Sequence, residues 1–114
     1  MQFKSEVSEN VLLIHLEGDL IGENNGPQIL DKASEHILKG ITHAIINLES
    51  VRYINSSGIG VLITILTKFR NSGGEVYLVN PSEHVQKLLI ITKLEAIFSI
   101  EQSNKEAMAK IKNS

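Results

Sequence analysis

His43 to Val79 reads HAIINLESVRYINSSGIGVLITILTKFRNSGGEVYLV. Its first six residues, His43-Ala44-Ile45-Ile46-Asn47-Leu48, form a short apolar run suited to a strand buried on both faces. From Ser57 to Ser72 the spacing predicts a helix, and Gly73-Gly74 supplies the stop before a second buried-type strand, Glu75-Val76-Tyr77-Leu78-Val79. Strand, helix, strand is the βαβ unit, which joins parallel strands by a right-handed crossover.

Upstream, Val11 to Leu16 is a β-branched-rich run preceded by Ser8-Glu9-Asn10 and ended by Gly18, so Gln2 to Val7 is expected to pair with it as an edge hairpin strand. Gly22-Glu23-Asn24-Asn25-Gly26 reads as a loop, and Pro27 as the opening of a first helix in which Leu30, Ala33 and Ile37 recur at helical spacing before Gly40. Downstream, Ser82 caps a third helix through Leu88-Leu89-Ile90-Ile91, and Phe98 to Ile100 suits a short last strand. Ser103 and Glu106 match a capping box that opens a terminal helix reaching Ile111. The alternation predicts an α/β layer structure with a mixed central sheet of four to five strands and about four helices.

With 114 residues the chain has the size of one domain, taken as residues 1–114. Its 42% apolar and 21% charged content is ordinary for a packed globular core and unlike a disordered segment. A net charge of −2 without a basic run argues against a nucleic-acid partner. No cysteine is present, so disulfides and thiolate ligands are excluded. The apolar runs fall far short of the roughly 20 residues that span a bilayer, so no membrane insertion is expected. With no signal-peptide pattern at the start, the cytoplasm is the expected compartment.

Ile54-Asn55-Ser56-Ser57-Gly58-Ile59-Gly60 lies between a strand and the start of the second helix. Helix capping alone accounts for these residues, since serine and asparagine are favoured caps and glycine eases turns. The same hydroxyls lie at the positive end of a helix dipole, where a phosphate is well received. The spacing matches neither a Walker A loop, nor a dinucleotide fingerprint, nor a nucleophile elbow.

Asn55-Ser56-Ser57-Gly58-Ile59-Gly60-Val61-Leu62 resembles the Asp-Ser-Ser-Gly-Leu-Gly signature of the STAS domain, in particular of bacterial anti-sigma factor antagonists. The likeness extends to Leu16-Glu17-Gly18-Asp19-Leu20, to Asn47-Leu48 and to Leu94-Glu95-Ala96-Ile97-Phe98. It implies a STAS-like fold and a protein that is not an enzyme: Ser56, with Ser57 as the secondary candidate, is phosphorylated by a partner anti-sigma factor that is also a serine kinase. The unphosphorylated form then binds that partner and releases a sigma factor, and a serine phosphatase restores it. Asn55 stands where the signature has aspartate, and Ile21 with Gly22 stand where a polar residue follows the Gly-x-Leu segment.

The partner surface implied by the resemblance comprises Asn55, Ser56, Ser57 and Gly58, with Asp19, Glu23 and Asn24 from the neighbouring loop. In the second helix, Ile59, Leu62, Ile63, Leu66 and Phe69 make one stripe suited to the core. At 100° per residue Ser57, Val61, Thr64 and Lys68 fall on the other side, so Val61, Thr64 and Lys68 are expected to extend the partner surface.

Arg52, Lys68 and Arg70 are read as solvated charge, His36 and His84 likewise, and His15 and His43 as strand residues. The histidines lack metal-ligand spacing, so no metal and no cofactor are expected. Two further readings stay open: a phosphorylation-independent STAS scaffold or adaptor in a signalling or transport complex, and a small enzyme using the helix start as an anion site. The second lacks a catalytic constellation.

Overall fold

Glu9 and Asn10 both take positive φ, 52° and 66°, and these two residues alone turn the chain between β1 (Gln2–Ser8) and β2 (Val11–Leu20). That is the conformation a two-residue hairpin loop demands. The computed structural model describes residues 2–113. After the hairpin come α1 (Gly22–Leu38), β3 (His43–Ile54), α2 (Ser56–Asn71), β4 (Glu75–Val79), α3 (Glu83–Ile91), a 3₁₀ turn (Leu94–Ala96), β5 (Ser99–Glu101) and α4 (Asn104–Lys112).

The five strands lie in the order β1-β2-β3-β4-β5, with β1 antiparallel to β2 and every other pair parallel. Because β2 to β5 advance in one direction, right-handed crossovers send α1, α2 and α3 to the same face of the sheet. There Leu12, Ile14, Ala44, Ile46 and Leu78 meet Ile29, Leu62, Ile65, Phe69, Val85 and Leu89 in the main core. Among the described residues only α4 covers the other face, setting Ala107 against Val11, Ile45, Tyr77 and Val79. The mixed α/β sheet with four helices expected from the sequence is what forms.

Two expectations are corrected at α1 and α2. First, α1 starts at Gly22 and encloses Pro27 instead of starting there. Gly22 and Gly26 mark a close helix approach: a Cβ on Gly22 would collide with the Ser57 backbone, and one on Gly26 would stand 2.8 Å from Val61 Cγ2. Ser57 and Val61 share the i,i+4 spacing of the two glycines, so one row of α2 lies in the row that the glycines leave open on α1.

Second, that contact buries Val61, which is 7% exposed, while Ile63, assigned above to the core, is 38% exposed. Sequence periodicity locates an apolar stripe but not the second helix that covers its flank. Ile65, outside the expected stripe, is fully buried. His36 also departs from its reading as solvated: its side chain is 13% exposed and its Nδ1–H donates to the Lys32 carbonyl at 2.8 Å. No helix among the described residues is long and apolar enough to cross a membrane.

Candidate functional site

β2 and β3 end side by side at Leu20 and Ile54, and α1 and α2 both begin there. The Asn55 N–H donates to the Leu20 carbonyl at 3.2 Å, which fixes the turn out of β3 against the end of β2. Asn55 is then the N-cap of α2: its Oδ1 accepts the Gly58 N–H at 2.8 Å. Gly58 is buried because the Leu20 carbonyl sits where a Cβ would be. It shapes the turn, and its burial leaves little surface for the partner contact expected there.

Ser57 is half-buried and fully engaged. Its hydroxyl accepts the Gly22 N–H at 3.1 Å and lies within bonding reach of both Asn55 Oδ1, at 2.9 Å, and Glu23 Oε2. One hydroxyl proton serves one of those two acceptors at a time. The Gly22 contact compensates for a gap in α1, whose N-cap position, Ile21, has no side chain able to cap. The hydroxyl contact from Ser57 holds the Glu23 carboxyl below its ordinary value near 4.5, helped by a hydrogen bond from its own backbone and by Asn55.

Ser56 differs from its neighbour in every respect. It is the first residue of α2, exposed, and its hydroxyl has no hydrogen-bond partner among the described residues. Its position is the positive end of the helix, where an added anion is favoured by the backbone dipoles. At 100° per residue Gly60, Ile63 and Thr67 continue the line of Ser56 along the solvent face of α2, and all three are exposed. A Cβ built on Gly60 meets nothing within 4 Å, so that face is open.

The structure therefore brings Glu23, Asn55, Ser56 and Ser57 together, with Asn24 exposed beside Glu23. Asp19 stands apart on β2 in an ion pair with Arg52, Oδ1 to Nε at 3.4 Å. Thr64 is exposed and its hydroxyl donates to the Gly60 carbonyl at 2.8 Å. Lys68 is half-buried twelve residues along α2 from Ser56, about 18 Å of helix rise away, so it does not reach the Ser56 hydroxyl. Arg70, read as solvated charge, binds Glu75 at 2.9 Å and the Ile97 carbonyl at 2.6 Å. Glu23, in the first turn of a helix that begins earlier than its sequence suggests, brings a carboxylate to the Ser57 hydroxyl.

The STAS domain model matches residues 2–107. A Thermotoga maritima protein described as a candidate anti-sigma factor antagonist is 35% identical over 78 residues, spanning 68% of this chain and 69% of its own. The anti-sigma F factor antagonist of Lysinibacillus sphaericus is 32% identical over 90 residues, covering 77% of this chain and 76% of its own. Among solved structures, the anti-sigma factor antagonist SpoIIAA in its unphosphorylated form superposes with a TM-score of 0.85 at 26% identity, over 99% of this chain and 98% of that one. The phosphorylated form of Bacillus SpoIIAA gives 0.76 at 27% identity, over 96% and 99%. A family match over nearly the whole chain, with relatives that are anti-sigma factor antagonists, carries one conclusion: the chain belongs to the STAS domain family.

Proposed function

We propose that this chain is a one-domain anti-sigma factor antagonist whose Ser56 hydroxyl is a phosphorylation-controlled switch. The observation that carries the reading is the contrast between the two serines: Ser56 is exposed and unpartnered among the described residues at the start of α2, while Ser57 is held by Gly22, Glu23 and Asn55. A kinase reaching this turn meets one free hydroxyl. Phosphorylation adds about −1.5 to −2 charge and three strong acceptors at neutral pH. The helix start tolerates that charge, so the fold persists. A partner surface fitted to a neutral hydroxyl, and to Gly60 and Ile63 beside it, instead meets a bulky anion next to the Glu23 carboxylate.

On this reading the protein is a binder and a kinase substrate, not a catalyst. Its partners are an anti-sigma factor with serine kinase activity and a serine phosphatase, all in the cytoplasm. The existence of SpoIIAA in unphosphorylated and phosphorylated forms is consistent with such a cycle. The test is capture from extracts of the protein's own cells by Ser56→Ala and Ser56→Asp variants. The account expects an anti-sigma factor on the alanine variant and its loss on the aspartate variant. Equal capture by both favours a phosphorylation-independent scaffold, in which Asn55 serves only as the neutral cap of α2.

A further inference from the structure

The sheet has two edges, and they differ. β5 is a three-residue strand, whereas β1 runs from Gln2 to Ser8 with no strand on its outer side among the described residues. Edge strands present unpaired backbone groups and are usually blunted by charge, proline or a covering element. β1 carries Lys4 and Glu6, both exposed and without an ion-pair partner among the described residues, and Val7, which is 46% exposed.

The hairpin turn fixes which residues face outward. In a two-residue loop the flanking pair, Ser8 and Val11, exchanges both hydrogen bonds, and alternate pairs do so along the ladder: Glu6 with Leu13, Lys4 with His15, Gln2 with Glu17. The N–H and C=O groups of Phe3, Ser5 and Val7 therefore point away from β2. We infer that β1 pairs antiparallel with β1 of a second copy of this chain, on a two-fold axis at Ser5. Ser5 then faces Ser5 and Phe3 faces Val7 of the other copy, each pair exchanging both bonds across the edge.

The side chains select that register. Centred on Ser5, each Lys4 stands opposite the Glu6 of the other copy, in the closer, non-hydrogen-bonded kind of pair. Moving the axis to Lys4 or to Glu6 sets like charges face to face. Moving it by half a step breaks the match of outward backbone groups. On the helix-bearing face, Phe3 and Val7 extend the apolar rows of their partners Leu16 and Leu12, and Phe3 of one copy covers the exposed Val7 of the other. The contact is isologous, as a two-fold interface requires.

One strand edge buries much less than the roughly 1,600 Å² of a standard interface, so the association is weak and depends on concentration and salt. Sedimentation equilibrium from about 10 μM to about 1 mM, the range suited to a weak contact, tests it. Wild-type protein is expected to show a reversible monomer to dimer equilibrium, while Lys4→Glu and Glu6→Lys each associate at least tenfold more weakly with unchanged melting temperatures. Mixed, the two variants restore association, because an edge bearing two carboxylates then faces an edge bearing two ammonium groups. A wild-type protein that stays monomeric throughout, single variants that associate as wild type does, or a mixture that stays monomeric overturns the inference.

Discussion

The Gly22 backbone N–H and the Ser57 hydroxyl meet at 3.1 Å, so the first turn of α1 is capped by a side chain carried on α2. Both helices start from one shared network, and Ser56, one residue before that hydroxyl, takes no part in it. The two serines therefore separate into a structural residue and an available one. Ser57→Ala removes the acceptor for Gly22 and the donor to Glu23 or Asn55, and is expected to cost about 1–3 kcal/mol. Ser56→Ala is expected to stay within about 0.5 kcal/mol of wild type, as for an exposed site without partners. Urea denaturation of both variants checks the difference.

Val61 and Ile63 exchange the roles their spacing suggests. Val61→Ala should destabilise by about 1–3 kcal/mol through lost burial and a cavity against Gly26, and Val61→Glu should compromise folding outright. Ile63→Glu should leave stability within about 0.5 kcal/mol and reduce capture of the anti-sigma factor. Loss of folding in Ile63→Glu, measured by circular dichroism, would contradict the assignment.

Asn55 supplies the cap of α2 through a neutral oxygen. Asn55→Ala should cost about 1 kcal/mol, the usual worth of an N-cap. Asn55→Asp keeps the acceptor for Gly58 and should hold its melting temperature near the wild-type value at neutral pH, which calorimetry reads directly.

Glu23 gives a pH signature. Its carboxyl titrates below the ordinary value near 4.5 in the folded chain, chiefly through the Ser57 hydroxyl, so the folded state favours its charged form. A depressed value contributes stability above the unfolded value, and that stability fades as pH falls through the folded one. The stability difference between wild type and Glu23→Gln is therefore constant above about pH 5 and shrinks on acidification below the ordinary value. The carboxylate is exposed, so the effect is small. A difference that grows on acidification contradicts the contact.

Much of this was legible in the sequence because it rests on local chemistry. Ser82 and Ser103 cap α3 and α4 as their spacing predicts, accepting the Val85 and Glu106 N–H groups. Gly73, at φ 86°, ends α2 where the paired glycines suggested. What escaped depends on contacts between distant segments. Gly22 and Gly26 resemble a loop in isolation, since the helix they open takes its cap from a residue 35 positions away. Val61 is buried only because α1 crosses α2 at those glycines. Glu23 joins the site by the same crossing. β3 runs on to Ile54 past the apolar run, with Val51 and Ile54 buried but the consecutive pairs Glu49-Ser50 and Arg52-Tyr53 exposed, a pattern that breaks the two-residue strand period.

Ser56, and not Ser57, is the residue proposed to carry the phosphate. Intact-mass spectrometry with phosphopeptide mapping, on protein purified from its own cells under growth and stress, tests it most directly. The account predicts a single phosphate-sized gain that maps to Ser56 and vanishes in Ser56→Ala. Phosphate on Ser57, or a chain that stays unmodified under every condition, would contradict it.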